Sequence, residues 1–492
     1  MVPVTGRGES ITVEANSRRG GVVRAVSLLM FLAVVCLVPG AGAAFASDGG
    51  YVLWVDQANS SCTNALAREQ VSRATPWCTL QRAAEASRAG DTVRVMPGRF
   101  QGTVRPAASG TASAPIRFVT TSDAVVIDAA GAAVGVKIVG VSWVSFEGFT
   151  VTGAAGQGVF VDGASGVTLT HLDVSGNGTY GVQARASALR ISGSSISGNG
   201  MAGISELSGS IGNVYEGNTI RGNGKDGRLY NGDGIQLNGT GATVRNSSIC
   251  DNGDPGQFEH GIYAGSSSSA YLIESNTLEG NAASDIKAAG SGGTVRYNRL
   301  ADSRFGLVFS DNGKPVSAYY NLVAGKFQHA VFFTSGATAA RAELWDNTIV
   351  QTGRLGSTGD TSAVFINAAR LADIRNNLIC YAGRDGRGVA LYFKDASRAT
   401  LVSNTNWLCG GDRQGRSFAL NGVRTTLGGW HTASGQDAAS LSTLAVSFDA
   451  GFHVTSRNVG ARRGQPLGLE RDYAGFEVST RTPDIGAFQS SR

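Results

Sequence analysis

The chain has 492 residues, 69 of them Gly and only 10 Pro, with 42% hydrophobic and 16% charged content. Glycine at about twice its ordinary usage without abundant proline excludes a collagen-like or Pro-rich linker protein, and the apolar share suffices for a packed core. The net charge of +5 drops to +3 without the four Arg and two acidic residues that precede Ser47, too weak a positive balance for a nucleic-acid partner.

The first element is an export signal over residues 1–46. Arg18, Arg19 and Arg24 precede an apolar run from Ala25 to Val38, and Ala44-Phe45-Ala46 forms a small-residue cleavage site before Ser47. The run is too short to cross a bilayer comfortably. The expectation is a secreted monomer with no lasting membrane insertion. Export permits disulfides. Cys62 and Cys78 are close in sequence and are expected to pair.

Residues 47–91 read as a strand followed by a cap. Between Pro76 and Ala89 the spacing of Leu80, Ala83, Ala84 and Ser87 is helical, and "GDTVRVMPGRF" then supplies a turn and a strand.

From 92 to 406 one short unit recurs: Asn-x-φ closing a strand, a Gly/Asn turn, then Gly-φ-x-φ. The φ after Asn falls at Val151, Val174, Ile196, Ile220, Ile249, Leu278, Leu300, Val323, Ile349 and Ile379. A spacing floor of about 22–24 residues with occasional additions is a coil of fixed circumference carrying loop insertions. Three short strands and three turns fill such a coil, and each coil buries its inward side chains only against its neighbours. The expected fold is all-β: a right-handed parallel β-helix of roughly eleven coils with three parallel sheets and an N-terminal capping helix.

Two Asn rows agree with it. Asn218, Asn276, Asn298, Asn321, Asn347, Asn377 and Asn404 form one, and Asn177, Asn199, Asn223, Asn252 and Asn281 the other. Asn tolerates left-handed turns and hydrogen-bonds along a stack, so both rows are read as structural. Cys380 and Cys409 occupy equivalent places in adjacent coils, about 5 Å apart in such a stack, and are expected to bridge. Cys250 shares their place several coils away and is expected as a buried thiol outside any bridge. Residues 407–492, ending in "TPDIGAFQ", read as an irregular capping region.

"YVLWVDQ", "PWCTLQRAAEASRAGDTVRVMPGRF", the coil repeats and the closing "DIGAFQ" resemble secreted bacterial right-handed β-helix proteins, relatives of pectate lyases, alginate lyases and chondroitinase B. The resemblance covers nearly the whole chain after residue 46 and is specific for fold more than for reaction. The "DPHE" signature of alginate epimerases is absent. It implies a polysaccharide as substrate or ligand, and a cleft over the sheet that follows the loop-bearing turn.

Four insertions, "KDGRLYN", "DPGQFE", "GRLGSTGDTS" and "GRDGR", all fall between the Asn-x-φ strand and the Gly-φ-x-φ strand, so they should leave one edge of the solenoid. On the strand that follows, the outward row runs Phe160, Gln183, Ser205, Gln236, Tyr263, Lys287, Val308, Phe332, Phe365, Tyr392, and the row just before it includes Tyr180, Asp233, His260, Phe305, His329 and Arg387. Asp233, His260, Gln236, Tyr263 and Lys287 should therefore gather on about three adjacent coils.

Uronate β-elimination needs a carboxylate neutraliser, a base for the C5 proton and an acid for the leaving oxygen. Lys287 suits the base. His260 or Tyr263 suits either proton role, with Asp233 completing the set. Arg228, or a calcium held by Asp226, Asp233, Asp254 and Glu259, would neutralise the carboxylate. Gln236 would bind substrate, and Phe332, Phe365 and Tyr392 would stack on sugars. Each residue has a plainer reading: Asp233 as a turn cap, His260 as packing, Lys287 as a solvated charge. Two other functions fit the same residues. Hydrolysis would pair Asp233 with Asp254 or Glu259, and a non-catalytic carbohydrate-binding or cell-surface protein would need only the aromatic row.

Overall fold

The computed structural model describes residues 49–490 except 226, 228–230, 311–312, 335–339, 356–360, 384–387, 395–399 and 413. The proposed export signal lies outside the described residues. No described helix is long and apolar enough to cross a membrane.

The chain winds into a parallel β-solenoid of about twelve turns. Its sheets hold 14, 14 and 13 strands. Each strand pairs with the strand one coil before and one coil after, and every pairing within the stack is parallel except the terminal one between Phe418–Leu420 and Val423–Thr425. The anchor residues stack in register along the second sheet, with Ile220 opposite Ile249 and Ile249 opposite Leu278. Strand Val52–Val55 already joins the first sheet beside Thr92–Val95, and Leu441–Thr443 extends the second beyond Trp407–Gly410.

Glycine in Gly-φ-x-φ has a packing cause. A Cβ at Gly203 would lie 2.8 Å from Ile220 Cγ2 and 2.9 Å from Asn223 Nδ2, and one at Gly234 would lie 2.7 Å from Ile249 Cγ2. The strand opening therefore runs against the core isoleucine and the Asn row, where a side chain has no room. In this column Asp285 stands opposite Gly261, and it is fully buried.

The Asn rows are two hydrogen-bonded ladders. Asn298 Nδ2 donates to Asn321 Oδ1 at 3.0 Å and to Ile273 O at 2.9 Å, while its Oδ1 accepts from Asn276 N and Nδ2, both at 3.0 Å. In the second ladder Asn177, Asn199, Asn223, Asn252 and Asn281 pass the same bond from coil to coil. At the C-terminal end of the first ladder the next rung is Asn406, which accepts from Asn377 Nδ2 at 3.1 Å. Asn404, expected there, instead lies in the first sheet opposite Arg375, because Asn406 is the residue two before the stacked Leu408.

At the N-terminal end helix Leu80–Ala86 buries Leu80, Ala83 and Ala84, with Thr79 as its N-cap. Cys62–Cys78 and Cys380–Cys409 are disulfides, and Cys250 is outside both. Cys250 is half-exposed rather than buried. Its column points outward from the second sheet and is covered only from Ala301 onward, and around Val350, Cys380 and Cys409 the tail residues Ile485, Val446, Phe448, Tyr473 and Phe488 pack over Leu322, Val350 and Trp407.

Candidate functional site

The one fully described insertion, residues 254–259, and the described parts of the other three link second-sheet strands to third-sheet strands, so they stand along one corner beside the third sheet. Three adjacent strands of that sheet, Ile235–Leu237, His260–Ala264 and Ser284–Ala288, put Gln236 opposite Tyr263 and Tyr263 opposite Lys287. The row before them runs Asp233, His260, Ser284, and continues through Phe305, His329 and Ser362. In the coil of Arg387 the row is filled by Val389. Arg387 lies outside the described residues, as do Asp226 and Arg228.

The polar side chains form a chain of contacts. Ser205 Oγ donates to Gln236 Oε1 at 3.2 Å, and Gln236 Nε2 donates to Asp233 Oδ2 at 2.8 Å. The His260 backbone N–H donates to Asp233 Oδ1 at 2.6 Å. His260 Nδ1 meets Ser284 Oγ at 2.7 Å, its ring centroid lies 5.6 Å from that of Tyr263, and Lys287 Nζ stands 5.2 Å from the Tyr263 ring centre. Gly261 turns its Cβ position toward Asn281, while the rings of His260 and Tyr263 lie beside each other.

Burial sets the protonation states. Asp233 is 2% exposed, and burial raises its pKa to about 7 against the hydrogen bonds from Gln236 and His260, with Glu259 raising it further. Burial, aided by the charge of Lys287, lowers His260 to about 3, so its imidazole is neutral at ordinary pH. Burial and then the charge of Asp233 raise both Tyr180 and Tyr263, which stay protonated.

The loop carboxylates serve the loops. Asp254 Oδ2 accepts from Gly227 N at 2.9 Å, and Glu259 Oε2 accepts from Asp254 N at 2.7 Å while its carboxyl fills the space beside Gly232. Among the described residues no three His, Cys, Asp or Glu side chains are grouped to hold a metal ion.

The aromatic row stacks on itself. Phe332 and Phe365 centroids are 5.5 Å apart, Phe365 and Tyr392 4.9 Å, and His329 and Phe365 4.4 Å. Phe365 and Tyr392 are only 7% and 6% exposed, packed with Val389 and Ala419, so their faces are spent on neighbours rather than offered to a sugar. Phe332 is half-buried.

Sequence reasoning passed over three further residues. Arg304 and Arg354 both press their charge on His329, whose pKa burial lowers to about 3. Arg354 Nε and Nη2 are shielded from water and have no hydrogen-bond partner among the described residues. Phe258, 60% exposed, stands on the loop directly before Glu259 and His260. Register would have found Ser284, but nothing in the loop sequence aims Arg354 at His329.

Parallel stacking, an Asn-laddered interior and one loop-walled face define a β-helix with a lateral polar site. A family profile described as "Right handed beta helix region" matches residues 134–233 and 233–407, and the chain belongs to that family. Among solved structures it is similar to XylC in complex with xylose, at 9% identity and TM-score 0.51, covering 89% of this chain and 98% of that one. It is also similar to pectate lyase Pel9A (14%, TM-score 0.45, 90% and 97% covered) and to an alginate lyase from Paenibacillus sp. str. FPU-7 (18%, TM-score 0.43, 54% and 94%). These likenesses concern the fold. No curated protein matches the chain.

Proposed function

We propose that this is an exported polysaccharide lyase that cleaves a uronate-containing polymer by β-elimination on the outer face of the third sheet. The observation that carries the reading is the polar cluster on three adjacent strands: Asp233, Gln236, His260, Tyr263 and Lys287. Lys287 takes the C5 proton. The Tyr263 phenol gives its proton to the leaving oxygen as the C4–O bond breaks and the C4=C5 bond forms. Gln236, with the acid form of Asp233, hydrogen-bonds the uronate carboxylate and steadies the enolate that develops on it. Arg304 and Arg354 hold a neighbouring acidic sugar, and Phe258 and Phe332 offer ring faces.

Asp254 and Glu259 are engaged with backbone amides, and Asp233 is left as the face's own carboxylate among the described residues of the cluster. That favours elimination over the paired carboxylates of an inverting hydrolase.

Incubation with a panel of uronate polymers tests the reading by ultraviolet absorbance of unsaturated ends. Absorbance that disappears in Lys287→Ala and Tyr263→Phe is expected. New reducing ends without absorbance would establish hydrolysis instead, and binding with neither product would leave a carbohydrate-binding protein.

A further inference from the structure

A second cavity lies away from the third sheet, where the tail crosses the corner between the first and second sheets. Its volume is about 480 Å³. Tyr320 and Asp346 line it from the solenoid, and the stretches 466–471 and 477–480 with Pro483 line it from the tail. The tail is fastened on either side of it: Asn376 Nδ2 donates to Gln465 O at 2.7 Å, and Tyr297 Oη donates to Arg471 O at 3.1 Å.

The floor is unusual in two respects. Tyr320 is 0% exposed and Asp346 1%. Tyr320 Oη and Asp346 Oδ1 have no hydrogen-bond partner among the described residues, although buried polar atoms are nearly always paired. Both residues hold the left-handed turn that this corner adopts in neighbouring coils, as at Ser275, Tyr297, Asn376 and Thr405, so the backbone there is the ordinary turn of the solenoid.

Burial raises both groups, which favours their protonated forms. The walls add the apolar surfaces of Pro466, Leu467, Leu469 and Val478 with the hydroxyl of Ser479. Glu470 and Glu477 outnumber Arg471 at the exposed rim, which repels anions. Hydroxyl partners below, apolar sides and an acidic rim describe the chemistry of a neutral sugar. We infer that this cavity is a second carbohydrate site, one that takes a neutral mono- or disaccharide unit and rejects uronates. The volume falls within the range of small-molecule sites, about 300–1,000 Å³. The inference stands independently of the chemistry on the third sheet.

Ligand-observed NMR and calorimetry on the full chain, with xylobiose, lactose, cellobiose and digalacturonate as probes, test it. At least one neutral disaccharide should bind at about 10 mM or tighter, with digalacturonate at least about tenfold weaker at Tyr320. Tyr320→Phe and Asp346→Asn should each weaken the neutral sugar about tenfold, the loss of one hydrogen bond. Leu469→Trp, which fills the cavity from the tail side without touching the floor, should abolish binding and decides the matter should either floor variant fail to fold. Absence of binding by every neutral probe, or equal binding in Leu469→Trp and the unaltered chain, would overturn the inference. So would a preference for digalacturonate that is lost in Tyr320→Phe.

Discussion

Asp285→Asn is expected to stabilise the protein, increasingly so as pH rises. Asp285 occupies the column that other coils fill with Gly or Ala, and its side chain points into the solenoid at 0% exposure. Oδ1 accepts from Asn281 Nδ2 at 3.0 Å and from Ser303 Oγ at 2.6 Å, while Oδ2 has no partner among the described residues. Burial outweighs those bonds and raises the pKa from 3.8 to about 8. Between these two values the folded chain holds a proton that the unfolded chain has lost. Stability therefore falls as pH rises through this window, by about 1.4 kcal/mol per pH unit, to a ceiling of about 6 kcal/mol above pH 8. Asparagine keeps an oxygen for Asn281 and Ser303, places an NH₂ where the acid proton sat, and does not titrate. Urea denaturation of both proteins at intervals from pH 4.5 to 8.5 measures the gap, with relaxation around the charge expected to bring the total to about half its ceiling. A gap that stays constant across that range would show that Asp285 titrates as an ordinary carboxylate and that the burial argument fails.

Lys287→Ala should lower any eliminase turnover by about 10²-fold, the scale of a lost general base, with melting temperature little changed. Asp233→Asn should remove a limb near pH 7 from the pH–rate profile, since the raised Asp233 pKa places that limb there; a profile that keeps it would assign the limb to another group. Asn298→Ala strands Ile273 O and Asn276 N inside the ladder and should cost about 3 kcal/mol in urea denaturation. A thiol reagent should label the folded, non-reduced chain, with residues 1–46 and their Cys36 removed, once, at Cys250, slowly because burial and then Asp251 raise its pKa; mass spectrometry of the peptides checks the site.

Periodicity carried the architecture. Because a solenoid repeats its contacts, equal offsets from Ile235, Ile262 and Ile286 were enough to place Gln236, Tyr263 and Lys287 side by side. Offsets do not report what covers a column. The outward column of the second sheet is open at Cys250 and sealed by the tail at Cys380, and tail residues hundreds of positions from the early coils leave no periodic trace. The same blindness made Phe365 and Tyr392 look like open platforms. Asp285 was hidden for a different reason: its neighbours in the pattern are Ser284 and Ile286, and only the close approach seen at the equivalent glycines shows that its side chain has nowhere to go but inward. Arg354 depends on the course of an irregular loop, for which the sequence offers no template.

The coil-to-coil bonding also gives the molecule a mechanical direction. Strand and ladder hydrogen bonds run along the solenoid axis, so a force pulling the chain end outward loads one rung at a time, as in unzipping, rather than shearing many rungs together. Resistance to such a force is therefore set by the outermost rungs and not by the length of the stack. The Cys380–Cys409 bridge ties the two rungs of the second sheet that precede its last strand, Leu441–Thr443, beneath the tail. A protease or a molecular motor that seizes the C-terminus would peel away the tail and the strand at Leu441–Thr443, then meet a covalent stop before it reached the coils that carry Asp233 and Lys287.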